Sequence, residues 1–150
     1  MAEIRTFQAK RGEILGPLHG IPFAVKDIID VEGLPSRCNS KALQDRPPAK
    51  ADAEIILALK GLGAIPLGKA HTTEFAFFDP SPARNPHNTD HTPGGSSSGS
   101  AAAVASGTVP FAFGTQTLAS LNRPAAYCGI SGFKPSTRSI SSFGVAALAP

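Results

Sequence analysis

The sequence has few aromatic residues and few cysteines, and it has no long apolar run. Nine Phe, one Tyr and no Trp are present, and the only cysteines, Cys38 and Cys128, are not in metal-ligand spacing. No run approaches the roughly 18 apolar residues that a membrane-spanning helix needs. Residues 1–10 lack the apolar core of a signal peptide, so we expect a cytoplasmic protein with reduced thiols and no membrane partner.

The sequence also lacks clustered charge of one sign. Its formal net charge is +3 at pH 7, but the Lys and Arg residues are scattered and form no basic run of five or more. This distribution argues against a nucleic-acid partner. With 41% hydrophobic and 17% charged residues, the chain can bury a core, which excludes general disorder.

Glycine (15 residues) and proline (14) are abundant, which predicts many turns between short elements. The pattern favours an α/β architecture, with a tail or frayed helix over residues 1–15 and one domain over 16–150. Hydrophobic periodicity and turn residues predict the following order: a strand at about 21–28, a loop with at most one helical turn over 31–51, a helix capped by Asp52 and ended by Gly63, a strand over 64–69, an extended loop over 79–95, an alanine-rich helix ended by Gly107, a strand over 109–114, and the start of another at 132–135.

Lys26 stands in the first predicted strand, on the same face as Ala24 and Ile28. One interpretation is a lysine at a strand end whose ammonium reaches solvent along its apolar stem. The other is a desolvated lysine whose pKa falls towards neutrality, which makes it a base. The residue alone leaves both interpretations open.

A serine-rich turn, GGSSSGS over residues 94–100, leads directly into the alanine-rich helix. A linker would lead to another domain, and a phosphate-binding P-loop needs a lysine where Ser100 and Ala101 follow Gly99. What remains is a turn at a helix N-terminus, where backbone N–H groups favour a nearby negative charge. Ser97 and Ser98 are expected to stabilise the turn and the start of the helix.

Ser120 follows the predicted strand over 109–114 and is either a surface turn serine or a hydroxyl presented beside converging N–H groups. The sequence does not support a Ser-His-Asp triad, since none of the four histidines accompanies a Gly-x-Ser-x-Gly nucleophile elbow.

Six blocks carry a wider pattern: residues 20–27 (GIPFAVKD), 94–105 (GGSSSGSAAAVA), 114–117 (GTQT), 123–125 (RPA), 128–129 (CG) and 132–135 (GFKP). Together, and in this order, they resemble the amidase signature family over nearly all of residues 15–150. The resemblance implies an α/β fold with a mixed central sheet flanked by helices. It also implies hydrolysis of a small-molecule carboxamide without a metal or an organic cofactor.

Carried over residue by residue, the resemblance implies a catalytic triad of Lys26, Ser96 and Ser120. Ser120 would be the nucleophile, and Ser96, held by a cis peptide bond in this family, would relay its proton to neutral Lys26. The backbone of Thr117, Leu118 and Ala119 would supply the oxyanion donors.

The sequence departs from the family at Leu118 and Ala119, where family members have small residues, usually with at least one glycine. If residue 119 needs a positive φ, alanine there costs about 1 kcal/mol. A displaced oxyanion donor costs roughly 10²–10³ in rate, and Leu118 would narrow the acyl site. We therefore expect weakened activity with an intact fold.

Length is the second departure, because family members are several times longer. The resemblance therefore implies the N-terminal portion of a domain, truncated at its C-terminus. A truncated sheet exposes an apolar face and an open edge, so self-association or a homo-oligomer is expected.

Two alternatives to an amidase stay open. One is the glutaminase-type subunit of a tRNA-dependent amidotransferase, although Gln116 stands where those subunits usually carry Asp. The other is a catalytically silent fragment. The natural amide lies beyond what the sequence determines.

Overall fold

A computed structural model describes residues 1–147 of the chain. The helices are α1 (Ala2–Lys10), α2 (Glu54–Gly61), α3 (Ser98–Ala105) and α4 (Asn122–Tyr127), and two short 3₁₀ turns lie at Lys41–Leu43 and Glu74–Ala76. The strands are β1 (Pro22–Lys26), β2 (Ile65–Ala70) and β3 (Phe111–Phe113). The α/β class is confirmed.

The three strands form one sheet in the order β2-β1-β3, with both neighbours parallel to β1. An isolated antiparallel bridge joins Ile29 to Val145 beyond the end of β1. In parallel sheets, ligand sites lie at the carboxyl ends of the strands. Lys26 is the last residue of the central strand and therefore stands at that end of the sheet.

Successive residues of a strand point to opposite faces of the sheet. In β1 the two faces carry side chains of different size. Phe23 and Val25 are fully buried in the larger core cluster, which includes Ile56 and Leu59 of α2. Ala24 packs in a second cluster of small buried residues with Ala70 and Val109. Three partly buried residues pack against this cluster: Ala103, Val104 and Ala112. The helix on the second side, α3, is therefore able to approach the sheet closely.

The close approach of α3 is visible at Gly99 in its first turn. The Gly99 N–H donates to the carbonyl oxygen of His71 at 2.8 Å. A Cβ at residue 99 would overlap the backbone nitrogen of His71, so only glycine fits there. This contact brings the serine-rich turn before α3 to the end of β2, where Ala70 pairs with Lys26 of β1.

Several predicted elements are confirmed: the first strand, the helical turn in the 31–51 loop, the second strand, and the absence of regular strand structure over 79–95. Asp52 does not cap α2, whose N-cap is Ala53. Its carboxylate accepts from the Glu32 N–H at 2.8 Å and pairs with Lys60, which ties the 31–51 loop to α2.

The alanine-rich helix is confirmed, although it begins at Ser98, inside the expected turn. Helix α4 was not predicted, because Pro124 lies inside it. Two further predictions were wrong. The described residues 132–135 form no strand. Ile28 lies beyond β1 and packs in the larger cluster, not on the face of Lys26.

The division of the chain at residue 15 stays a prediction. The segment before it forms α1, which buries none of its residues. Within residues 1–147, no helix is long and apolar enough to cross a membrane. Self-association also stays a prediction, which sedimentation velocity of the purified protein would check.

Candidate active site

The candidate site is built around the side chain of Lys26, which is completely buried. Its ammonium nitrogen lies 2.7 Å from Ser96 Oγ and 2.7 Å from Thr115 Oγ1, and it donates to both. Burial lowers the pKa of Lys26 from its ordinary value of 10.5 to about 7. The solvent-reaching interpretation is therefore wrong, and a neutral lysine is available near pH 7.

The neighbouring carboxylate does not neutralise Lys26. Asp27 points away and pairs with Lys69, whose ammonium nitrogen lies 3.1 Å from Asp27 Oδ1. Lys69 also donates to Ser36 Oγ at 2.8 Å. Burial lowers the pKa of Lys69 too, but the charge of Asp27 opposes that shift. Lys26 and Asp27, which are adjacent at the end of β1, thus have separate sets of polar partners.

Ser96 reaches Lys26 from the serine-rich turn. The Gly95–Ser96 peptide bond is cis, as the resemblance implied, and Ser96 is buried. The Ser96 carbonyl accepts from the Thr73 N–H at 3.1 Å. On the other side, the Arg123 guanidinium donates twice to the Gly95 carbonyl, at 2.9 and 2.7 Å. The turn is held from both flanks.

Ser97 connects the turn to the segment after β3. Its N–H donates to the Ser120 carbonyl at 3.0 Å. Its hydroxyl donates to the Thr115 carbonyl and accepts from the Thr115 N–H, both at 3.2 Å. Ser97 is the N-cap residue of α3: its side chain makes no cap bond, but its carbonyl accepts from the Ala101 N–H at 3.2 Å, so it contributes to the turn and to the helix start as expected. Ser98 does bond locally, to the Ser96 carbonyl at 3.4 Å.

A cavity of about 120 Å³ brings the predicted serines together. Ser96 and Ser120 both line it, with Thr115, Gln116 and Thr117 beside them. Residues 115–117 also border a larger, mostly apolar cavity of about 710 Å³ along β3. Within residues 1–147, no hydrogen bond joins the Ser120 hydroxyl to that of Ser96. The structure thus places Ser96 and Ser120 at one small cavity, and Lys26 contacts Ser96 without lining that cavity.

The loop before Ser120 differs from the strained loop that the sequence suggested. The non-glycine residues with positive φ are Cys38, Asn39, Phe75, Ala76 and Arg138, and Ala119 is not among them. The expected steric penalty at Ala119 is therefore absent. The Leu118 side chain is 90% exposed and lies outside the cavity lining, so it does not narrow the site as expected.

The backbone N–H groups of Thr117, Leu118 and Ala119 form no hydrogen bond with any residue in the described range 1–147. Unpaired N–H groups can donate hydrogen bonds to an oxygen on which negative charge develops. Within that same range, no group of three or more His, Cys, Asp or Glu side chains could hold a metal ion.

The sequence analysis did not assign a structural role to the side chains of two residues at the site, Thr115 and Gln116. Thr115 bonds Lys26, and Gln116 Oε1 accepts from the N–H groups of Leu121 and Asn122, each at 2.9 Å. Both lie in the GTQT block, so the block marked the right segment, but only the fold shows what the side chains contact.

Comparison with known proteins places this geometry in a family. The amidase family model matches residues 2–150. The A subunit of glutamyl-tRNA(Gln) amidotransferase from Treponema pallidum (strain Nichols) is 47% identical over 150 residues, covering 95% of this chain and 29% of the relative. The AtzE subunit of 1-carboxybiuret hydrolase from Pseudomonas sp. (strain ADP) is 44% identical, covering 89% of this chain and 31% of the relative.

Solved structures agree. The native peptide amidase of Stenotrophomonas maltophilia superimposes with a TM-score of 0.88 at 38% identity, covering 95% of this chain and 31% of that one. The A subunit of glutamyl-tRNA(Gln) amidotransferase from Thermotoga maritima gives a TM-score of 0.81 at 38% identity, covering 87% and 30%. The chain thus spans about three-tenths of the length of the relatives that it matches. Its matched length, its fold and its lysine–serine site together show that the chain belongs to the amidase family.

Proposed function

We propose that the chain carries the catalytic residues of an amidase, which hydrolyses a small carboxamide through a serine acyl-enzyme. The observation that carries the proposal is the 2.7 Å contact between Lys26 Nζ and Ser96 Oγ, in a buried setting that lowers the pKa of Lys26 to about 7. A neutral amine next to a hydroxyl is a proton acceptor, and Ser120 shares the cavity with that hydroxyl.

The proposed reaction begins when Ser120 Oγ attacks the amide carbon. Its proton passes to Ser96, whose own proton passes to neutral Lys26. The carbonyl oxygen becomes an oxyanion, and the free N–H groups of Thr117, Leu118 and Ala119 are the donors beside it. The C–N bond then breaks, and the amine leaves with the proton returned through Ser96.

The acyl-enzyme is then hydrolysed by the same groups. Water attacks the ester carbon while Lys26 accepts its proton through Ser96; the Ser120–acyl bond then breaks, the proton returns through Ser96 to Ser120 Oγ, and a carboxylic acid is released. No contact between the two serine hydroxyls is needed before substrate binds, since catalytic hydrogen bonds often tighten only in the reacting complex.

A fluorophosphonate probe tests the proposal directly, because it phosphonylates only an activated serine. We expect the wild-type protein to be labelled and the Ser120→Ala variant to remain unlabelled. Ser106→Ala is the matched control, since Ser106 is an exposed serine at the end of α3. Labelling that persists in Ser120→Ala would place the nucleophile elsewhere, and an unlabelled wild type would favour the catalytically silent alternative.

A second candidate is the glutaminase-type subunit of a tRNA-dependent amidotransferase. The 47% identity to the A subunit of a glutamyl-tRNA(Gln) amidotransferase favours it. Both candidates use the same triad and differ in the amide. Glutamine-dependent release of ammonia by the purified protein would support the amidotransferase role, while release from other amides alone would support the hydrolase.

The proposed location is the cytoplasm. Cys38 and Cys128 are both buried and free, which suits a reducing compartment. Fractionation of cells that express a tagged protein would test this assignment.

A further inference from the structure

We infer that Gln116 is a positioning residue that holds Ser120 for reaction; the inference rests on the proposed function. The Gln116 side chain is half-buried, and its Oε1 accepts from the Leu121 N–H and the Asn122 N–H, both at 2.9 Å. Leu121 follows Ser120 directly. The side chain therefore ties the residue after the proposed nucleophile back to the segment that precedes the loop.

The amide orientation follows from these partners. Both are backbone N–H groups, which only donate, so the atom that faces them is the oxygen of Gln116. The same oxygen satisfies two N–H groups at the start of α4, which have no partner inside the helix. The Gln116 oxygen thus holds both the end of the loop that contains Ser120 and the first residue of α4.

The loop closed by this contact has little else to hold it. The N–H groups of residues 117–119 make no hydrogen bond within residues 1–147. Two other hydrogen bonds lie close to Ser120: the Ser97 N–H donates to the Ser120 carbonyl at 3.0 Å, and the Arg123 N–H donates to the Ala119 carbonyl at 2.9 Å. Ser120 is therefore held through its carbonyl by Ser97 and through the next N–H by Gln116.

Losing the Gln116 bonds would remove the tie on the C-terminal side of Ser120 and allow Ser120 to shift relative to Ser96. A displacement of about 1 Å can cost roughly 10²-fold in rate. Within residues 1–147 the Gln116 side chain bonds only backbone groups, so its effect on the reaction passes through Ser120.

Two substitutions at residue 116 separate the effect of losing the hydrogen bonds from the effect of changing the size of the side chain. Gln116→Met has nearly the same length but no strong acceptor, and Gln116→Glu keeps an oxygen at the same place. We expect the maximal rate of fluorophosphonate labelling to fall about 10- to 100-fold in Gln116→Met, with probe affinity unchanged. Gln116→Glu should label within about threefold of wild type, because a carboxylate also accepts from N–H groups at a helix start.

Hydrogen exchange supplies a readout that does not depend on activity. The amides of Leu121 and Asn122 should lose protection in Gln116→Met and keep it in Gln116→Glu. The control is Gln44→Met, at an exposed glutamine just after the Lys41–Leu43 turn, which should change neither measurement.

Equal labelling of wild type and Gln116→Met would overturn the inference, as would unchanged exchange at Leu121 and Asn122. Failure of Gln116→Glu to restore labelling would also overturn it. An unlabelled wild-type protein would instead refute the proposed function, and the positioning role of Gln116 with it.

Discussion

The ammonium nitrogen of Lys26 lies 2.7 Å from the hydroxyl oxygen of Ser96, and both side chains are buried. Among the salt bridges of residues 1–147, none involves Lys26. A buried ammonium without a carboxylate is costly, which is why the pKa of Lys26 falls. The same burial that destabilises the charged form supplies the base.

Labelling of Ser120 should depend on pH through Lys26. Only neutral Lys26 accepts a proton, so the labelling rate should rise with pH and level off above about 7. Rates measured between about pH 5 and 9 check this, with the spontaneous hydrolysis of the probe subtracted at each pH. Lys26→Met should lower the plateau roughly 10²–10⁴-fold. A rate independent of pH across this range would contradict the assignment of Lys26 as the base.

Lys26 should also make folding stability depend on pH. Between about 7 and 10.5, unfolded Lys26 binds a proton that the folded chain does not, so the free energy of unfolding rises with pH in this window. Below about pH 7 both states are protonated and this contribution is flat. Relative to Lys26→Met, wild type should gain up to about 1.4 kcal/mol per pH unit. Urea denaturation at about pH 6, 7.5 and 9 measures the difference.

The comparison with Lys26→Met is needed because burial lowers the pKa of Lys69 as well. Since Lys69 is unchanged in both proteins, its contribution cancels. A constant difference in unfolding free energy from about pH 6 to 9 would argue that Lys26 keeps its ordinary pKa.

Thr115 should tune the same lysine. Its hydroxyl accepts from Lys26 Nζ at 2.7 Å and so stabilises the charged form. In Thr115→Val the pKa of Lys26 should fall further, which moves the midpoint of the labelling profile to lower pH by about one unit, since a hydrogen bond to a charged group contributes about 1.5–3 kcal/mol. Thr115→Ser keeps the hydroxyl and should keep the midpoint. A shift of equal size in both variants would point to packing as the cause.

Glycine at residue 119 should not improve the protein. Because Ala119 does not have a positive φ, Ala119→Gly relieves no strain. It should instead lower the free energy of unfolding by about 0.4–1 kcal/mol through greater freedom of the unfolded chain. Labelling kinetics and urea denaturation of Ala119→Gly measure both effects. A marked gain in labelling rate would restore the idea of a strained oxyanion loop.

Gly99 should be intolerant of any side chain. In Gly99→Ala the methyl group would overlap the His71 backbone and push α3 from the sheet, with an expected loss of about 1–3 kcal/mol. Gly61→Ala is the control, because Gly61 ends α2 and a Cβ added there would meet nothing within 4 Å. The control should gain about 0.5–1 kcal/mol. Equal effects in the two urea denaturation curves would mean that α3 does not pack closely.

The local sequence was enough for the central strand and its two neighbours. Apolar runs bounded by Gly and Pro predicted β1, β2 and β3 to within a few residues. Helix ends were less predictable. Asp52 looked like an N-cap, but its carboxylate accepts from Glu32, which is distant in sequence. A capping pattern reports short-range contacts, and here a long-range contact competes for the same oxygen.

The block pattern predicted Lys26, Ser96 and Ser120 as catalytic residues from their positions in family-like blocks, without any knowledge of distances. Their catalytic roles stay a prediction. The structure brings Lys26 and Ser96 into contact although they are 70 residues apart. It also brings Ser120 into the same cavity.

By itself, the sequence determined the α/β class, the strand positions and the family. Tertiary structure decided which side chains meet: that Thr115 bonds Lys26, that Gln116 bonds the start of α4, and that Leu118 faces solvent. It also decided the chemistry of Lys26. A lysine at a strand end is ordinarily solvated, and the pKa of Lys26 falls because the folded chain buries its side chain completely, with Ser96 and Thr115 against the ammonium.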